Sequence, residues 1–297
     1  MKPTIAAAVG LIWCAGLASQ SQPARAPVFR ATAEGVRIDV SVRNRNRPVT
    51  GLTAADFELL DSGVPQEVVG VVYEQTPIDV TVGLDVSYSV DGVLLEQLRE
   101  SVRDLRADLR SQDRLKLVSF NMRVLRQIDF GNDRRAVESR MAALAASGST
   151  SLFDAIAVTL VASTAPERRH LVMMFTDGHD TNSITPSSTL LDVARRTNAA
   201  LGFVFGGGSY RLRPEPPTML VKLAAETGGQ VVTVALRESL SSTFKRLLDE
   251  FRSSYVLLYR PSGVERGGFH PVQVRVKRPG NHEVRARRGY AGGPPAP

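Results

Sequence analysis

The chain has 297 residues, 43% of them hydrophobic and 23% charged, which suffices for one large domain or two smaller ones and excludes a low-complexity or disordered chain. It contains a single cysteine, Cys14, so an internal disulfide framework is excluded. The formal net charge is +7, and much of it is local: Arg260 to Tyr290 holds eight Arg or Lys against two Glu.

The first segment, "MKPTIAAAVGLIWCAGLASQSQ", has Lys2, an apolar stretch from Ile5 to Leu17, and then small residues. This is the layout of a secretory signal peptide over residues 1–18, with cleavage near Ala18. A short membrane anchor is the alternative, although the stretch is short for a bilayer. Cys14 and Trp13 fall inside it, which leaves the mature chain without cysteine. No second apolar stretch is long enough to cross a membrane. The expected product is exported, periplasmic or secreted, with no transmembrane segment after cleavage.

Residues 28–76 read as β structure, the first half of a β-sandwich. In "GVRIDVSVRN", Val36, Ile38, Val40 and Val42 share one face and Arg37, Asp39, Ser41 and Arg43 the other, as in a half-buried strand. "FELLDSGVPQEVVGVVYE" reads as two strands around the turn Asp61-Ser62-Gly63.

From Pro77 the pattern changes. Strands are predicted at 78–85, 114–120, 123–129, 169–176, 200–205 and 230–234. They alternate with helices at 91–109, 133–145, 151–163, 187–198, 217–226 and 238–252. In the first helix Leu94, Leu98, Val102, Leu105 and Leu109 form one apolar stripe. Such alternation implies a doubly wound, mainly parallel α/β sheet over 77–252, covered on both faces. The glycine-rich stretch 205–217 reads as a rim loop, since no Lys-Ser/Thr pair follows it as a phosphate loop requires.

After residue 252 the chain is β again, in "SYVLLYRP", "FHPVQVRVKR" and "HEVRARRGY". Neither flank can bury a face alone. The two are therefore expected to pair into one β-sandwich, 28–76 with 253–290, with the α/β domain inserted between them. Residues 291–297 read as a disordered tail. Arg275 and Lys277, and likewise Arg285 and Arg287, alternate with small apolar residues, which suggests a solvated sheet face. The other reading is a charge-driven binder of polysaccharide or lipid headgroups; export argues against nucleic acid.

Ligands of open α/β sheets bind beyond the carboxyl ends of the strands. The first strand of this region ends in "DVSYS", placing Asp85, Ser87 and Ser89 there. Thr150 lies in "ASGSTSLFDAI" and Asp177 at the tip of "MMFTDGHDTNS". Two carboxylates and three hydroxyls are hard oxygen donors, suited to Mg²⁺ or Mn²⁺ rather than to Zn²⁺. Each hydroxyl has a plainer reading: Ser89 as cap of the first helix, Thr150 or Ser151 as cap of the third. Asp154 is expected to serve the helix dipole; Asp180 and Thr181 read either as support behind the site or as simply solvated, with solvation favoured. His179 raises a Ser-His-Asp hydrolase as an alternative, but no Gly-x-Ser-x-Gly is present. His170, His270 and His282 are scattered and suggest no zinc cluster.

"DVSYS", Thr150 in "GSTSLFDA" and Asp177 in "FTDG" together resemble the metal-ion-dependent adhesion site of von Willebrand factor type A domains. The flanks resemble those of the VWFA-related acidobacterial domain family of exported bacterial proteins. The resemblance implies that Ser87, Ser89 and Thr150 bind Mg²⁺ or Mn²⁺ through their hydroxyls. Asp85 and Asp177 would act through water and hydrogen bonds. It further implies a non-enzymatic adhesion protein whose protein partner supplies a carboxylate to the metal. Tyr88 departs from the pattern, standing where the family usually has a small residue.

Overall fold

The computed structural model describes residues 35–162, 164–165, 167–206, 215–234 and 239–293. The predicted signal peptide, the first residues of the 28–76 segment, most of the 205–217 loop and the last four residues lie outside these. The first flank forms β1 (Val36–Asn44), β2 (Arg47–Pro48), β3 (Phe57–Asp61), β4 (Val64–Gln66) and β5 (Val68–Tyr73). The α/β region follows in order: β6 (Ile78–Asp85), α1 (Val93–Asp108), β7 (Arg114–Phe120), β8 (Val124–Gly131), α2 (Arg134–Ala143), α3 (Leu152–Leu160), β9 (Arg169–Thr176), α4 (Ser187–Arg196), β10 (Ala200–Phe205), α5 (Thr218–Thr227), β11 (Val231–Thr233) and α6 (Leu240–Arg252). The last flank forms β12 (Tyr255–Tyr259), β13 (Phe269–Val276), β14 (Glu283–Ala286) and β15 (Gly289–Ala291).

The central sheet runs β11-β10-β9-β6-β7-β8. All its pairs are parallel except β7 with β8. Every residue of β6, β9 and β10 is buried, because helices cover both faces and water reaches neither. Leu95, Leu98, Val102 and Leu105 of α1 and Phe244 and Leu247 of α6 fill one side; Ile156, Leu190 and Leu223 from α3, α4 and α5 fill the other. The chain winds outward from β6 through β7 and β8, then crosses back to β9 on the other side of β6. Strand order thus reverses between β6 and β9, opening a crevice at their carboxyl ends.

The two flanks combine as their sequence requires. One sheet runs β14-β1-β12-β5 and the other β15-β13-β3-β4. Ile38, Val40, Leu59, Tyr255, Leu257 and Val272 pack between them. Asp61 is fully buried in this core. Its carboxylate accepts from Tyr259 Oη at 2.9 Å, Tyr290 Oη at 2.7 Å and Ser62 Oγ at 3.0 Å, and lies 3.0 Å from His270 Nδ1. Tyr259 belongs to the first sheet and the others to the second or its turn, so one buried carboxyl group clamps the two sheets together.

Several expectations need correction. "FELLDSGVPQEVVGVVYE" forms three strands, not two. Ser62 and Gly63 make the turn with φ of 50° and 82°, which suits a tight hairpin, and the chain changes sheets at Glu67. "HEVRARRGY" likewise divides into β14 and β15, which lie in different sheets. The expected tail begins too early, because Ala291 pairs with Phe269. The polar face of β1 is only partly solvated. Asp39 takes a 2.6 Å bond from Arg169 Nε, and Arg169 also reaches Ser254 Oγ at 2.5 Å and lies over the Phe251 ring at 4.0 Å. Arg285 pairs with Glu250 and donates to Gln230 at 2.9 Å. Arg287 is buried and donates to the Arg195 carbonyl at 3.1 Å. These groups join the sandwich to the α/β region, which leaves Arg275 and Lys277 as the exposed basic pair among those four.

Tyr73 and Tyr255 are register partners on antiparallel β5 and β12, so the chain leaves and re-enters the sandwich at one point. Replacing residues 74–254 by Asn-Gly should close a two-residue hairpin and yield a folded β protein. Circular dichroism and a cooperative melt would check this; an unfolded product would reject the split sandwich. A second expectation concerns His170, which is buried against Thr81 Oγ1 at 2.9 Å. Burial pushes its pKa down from 6.5 to about 4, with Asp79 opposing and Lys116 assisting. Below about pH 6.5 the unfolded chain takes up a proton that the folded chain refuses until about pH 4, so stability falls with pH across that window. The loss attributable to His170 is about 3 kcal/mol. It is read as the difference in urea-unfolding free energy between wild type and His170→Gln at pH 7 and pH 4.

Candidate metal centre

Asp85 ends β6 and is completely buried. Its Oδ1 accepts from the Ser87 backbone amide at 3.0 Å and its Oδ2 from Thr176 Oγ1 at 3.2 Å. Burial pushes this carboxyl up to about 6; the Ser87 and Thr176 hydrogen bonds pull it down, and the nearby Asp177 charge adds to the rise. Burial and the Asp177 charge thus both oppose ionisation of Asp85, and a cation in this crevice would relieve that opposition.

The turn after β6 carries the hydroxyls. Ser87 is buried and Ser89 exposed, with their Oγ atoms 3.1 Å apart. Ser89 does not cap α1. That helix is entered through Gly92, with no side-chain cap, while residues 88–90 form a separate short 3-10 turn. Ser151 holds the cap position of α3 but caps nothing; its Oγ accepts from Asn182 Nδ2 at 3.0 Å instead. The cap readings therefore fail for Ser89 and Ser151.

Thr150 is buried in a loop pinned from both sides. Toward β6, the Ser147 amide donates to Val86 O at 2.8 Å and the Tyr88 amide to Gly148 O at 3.1 Å. Toward β9, the amides of Thr181 and Asn182 donate to Thr150 O at 2.9 and 3.0 Å, and the Thr150 amide donates to Thr181 Oγ1 at 3.0 Å. Asp177, also buried, follows β9, and its Oδ1 accepts the His179 amide at 3.1 Å. The fold thus brings the loops bearing all five predicted residues to one rim, at the point where strand order reverses.

Sequence reasoning missed part of the support. Thr176 binds Asp85 from the neighbouring strand. Asp180 is not simply solvated: it accepts from the Phe153 amide at 3.2 Å and from Ser183 Oγ at 2.5 Å. Thr181 bonds the Thr150 loop. The one signal for Asp180 and Thr181 was the crowding of small polar residues after Asp177, and Thr176 had none. Asp154 is structural, as expected. Burial raises its carboxyl, but hydrogen bonds from Thr185 and Ile184 outweigh this and hold it below the usual carboxylate range. His179 Nδ1 lies 3.3 Å from Asp177 Oδ1, with more than half of its side chain exposed. His170, His270 and His282 sit apart in the fold, with His170 on Thr81 and His270 on Asp61.

Among the described residues, no group of three or more His, Cys, Asp or Glu side chains could hold a metal. A cation at this rim would rest on hydroxyls and only two carboxylates, a set that fits a hard ion keeping part of its water shell.

The architecture and this strand-end set of oxygens define a Rossmann-like domain with its ligand face at the switch point. The family model for the von Willebrand factor type A domain matches residues 79–246, more than half of the chain, and the protein belongs to that family. Domains of this family are generally non-enzymatic interaction modules, and commonly bind a divalent cation at the strand-end site. Among solved structures, a von Willebrand factor type A protein from Catenulispora acidiphila is 13% identical, with a TM-score of 0.52, over 89% of this chain and 75% of its own. An aerotolerance-related membrane protein from Bacteroides fragilis is 16% identical, with a TM-score of 0.47, over 59% of this chain and 98% of its own. Manganese-loaded TRAP protein from Plasmodium vivax is 16% identical, with a TM-score of 0.43, over 79% of this chain and 99% of its own. The likeness to the Catenulispora protein, at this identity, speaks to fold alone. No curated protein matches the sequence.

Gly178 tests how tightly this rim is built. Its φ is 85°, and a Cβ there would lie 2.7 Å from Phe205 Cε2 and 2.9 Å from Pro217 Cγ. Gly178→Ala should cost about 1–3 kcal/mol in urea denaturation; an unchanged midpoint would show that the loop after Asp177 can relax.

Proposed function

We propose that the protein is an exported, non-enzymatic binding protein. It takes Mg²⁺ or Mn²⁺ at the β6–β9 crevice and holds an acidic residue of a protein partner there. Ser87, Ser89 and Thr150 would hold the cation through their hydroxyls, with Asp85 and Asp177 acting through water and hydrogen bonds. When bound, the ion supplies an electrophilic position open to a carboxylate, because few anionic groups of the chain touch it and Mg²⁺ retains exchangeable waters.

The observation that carries this reading is the Ser87–Ser89 hydroxyl pair. The two oxygens lie 3.1 Å apart, and Ser89 does no capping work that would otherwise account for it. Asp85 supports it from below. Each of its oxygens accepts one bond, from the Ser87 amide and from Thr176 Oγ1, so it orients the turn beneath the two hydroxyls. Export rests on the signal-like segment at residues 1–18. Among the described residues, no helix is long and apolar enough to cross a membrane.

Titration calorimetry of the purified chain with Mn²⁺ and Mg²⁺ tests the site. Wild type should bind, and Asp85→Ala and Thr150→Ala should each weaken binding by about tenfold or more. A wild-type protein that binds neither ion would reject the reading, as would variants that bind like wild type.

A further inference from the structure

The cation alone would accept any carboxylate, so selectivity must come from what surrounds it. Three large apolar side chains stand exposed on the loops that form the rim. Tyr88 is 74% exposed, Met122 55% and Ile184 90%. Isolated exposed apolar residues are ordinary, but the loops carrying these three meet at one junction, where Asn182 Nδ2 also donates to Met122 O at 3.5 Å. Gly148 O accepts the Tyr88 amide at 3.1 Å, and the position of a Gly148 Cβ lies 3.0 Å from Met122 Cγ. Asn182, which donates to Thr150 O, lies two residues before Ile184. The Ile184 amide is held by Asp154 Oδ2 at 3.2 Å, in the first turn of the helix that follows Thr150. Hydrogen bonds fix these loops to one another, so the apolar groups are presented on a rigid frame and lose little freedom when covered. Exposed Arg123 follows Met122 at the β7–β8 turn and adds positive charge beside the ring.

We infer that the rim selects a partner segment in which one Asp or Glu is flanked closely by bulky apolar side chains. The acid would meet the cation, and its apolar neighbours would cover Tyr88, Met122 and Ile184. This rests on the cation-binding reading above. Charge decides the centre of the contact: the cation position and Arg123 favour an anion. Chemistry decides the surround: an all-polar acidic loop would leave three apolar groups wet or strip its own polar groups of water without replacement. Anchors buried around a fixed polar centre are also how compact interfaces concentrate affinity.

The test uses the full chain and a displayed heptapeptide library with a central Asp or Glu and random flanks, selected with Mn²⁺ and eluted with EDTA. Enriched peptides should carry Leu, Ile, Met, Phe or Tyr beside the acid. A synthetic peptide of the enriched sequence should bind the Tyr88→Ser/Met122→Ser/Ile184→Ser variant about tenfold or more weakly. Mn²⁺ affinity and melting temperature of that variant should match wild type. Enriched peptides with no apolar preference, or equal binding to the variant, would overturn the inference while leaving the cation reading intact. Peptides indifferent to EDTA, or no enrichment at all, would also overturn it. Failure of wild type to bind Mn²⁺ would take both readings down together.

Discussion

Much of this molecule follows from one constraint: the Asp85 carboxylate is buried from bulk solvent. A buried carboxylate must find its hydrogen bonds within the protein or lose its charge. Asp85 draws one from the turn that follows it and one from Thr176 on the neighbouring strand, and so ties β6 to β9 at the reversal of strand order. The turn is then held where Ser87 and Ser89 face each other. Asp177, one residue past Thr176, brings a second acid to the same crevice. The result is a strand end rigid below and rich in oxygen above.

The surrounding loops extend the same logic. Each is fixed by backbone bonds to the next, from Val86 through Ser147 and Gly148 to Thr150, and from Thr150 to Thr181 and Asn182. Side chains at this rim are therefore positioned before any ligand arrives. The sandwich repeats the pattern elsewhere. Asp61, buried and bonded by two tyrosines and Ser62 beside His270, joins its two sheets as Asp85 joins two strands. Arg169, Arg285 and Arg287 then fasten the sandwich to the α/β region through polar contacts that simple alternation would have assigned to solvent.

The central strands were the most legible part. β6, β7, β9 and β10 have the bounds predicted for them, because strands covered on both faces carry mostly apolar runs that stand out in the sequence. The helices were legible from their stripes, to within a few residues at the ends. Less legible were places where the chain changes partner without changing pattern. Glu67 lies between β4 and β5, and Arg287 and Arg288 between β14 and β15; nothing in their local composition marks a transfer between sheets. The polar residues of β1 misled for a related reason. Asp39 reads the same whether it faces water or Arg169, which lies 130 residues away.

By itself, the sequence determined the alternation of strands and helices, the split β flanks, and the order Asp85, Ser87, Ser89, Thr150, Asp177. Those follow from periodicity and residue chemistry, which are local. Only the tertiary structure decided that Ser89 caps nothing, that Thr176 and Thr181 stand behind the site, and that Tyr88, Met122 and Ile184 share a rim. Such facts depend on which loops meet where the strand order reverses. That meeting is set by packing between segments far apart in the chain, where no local pattern records it.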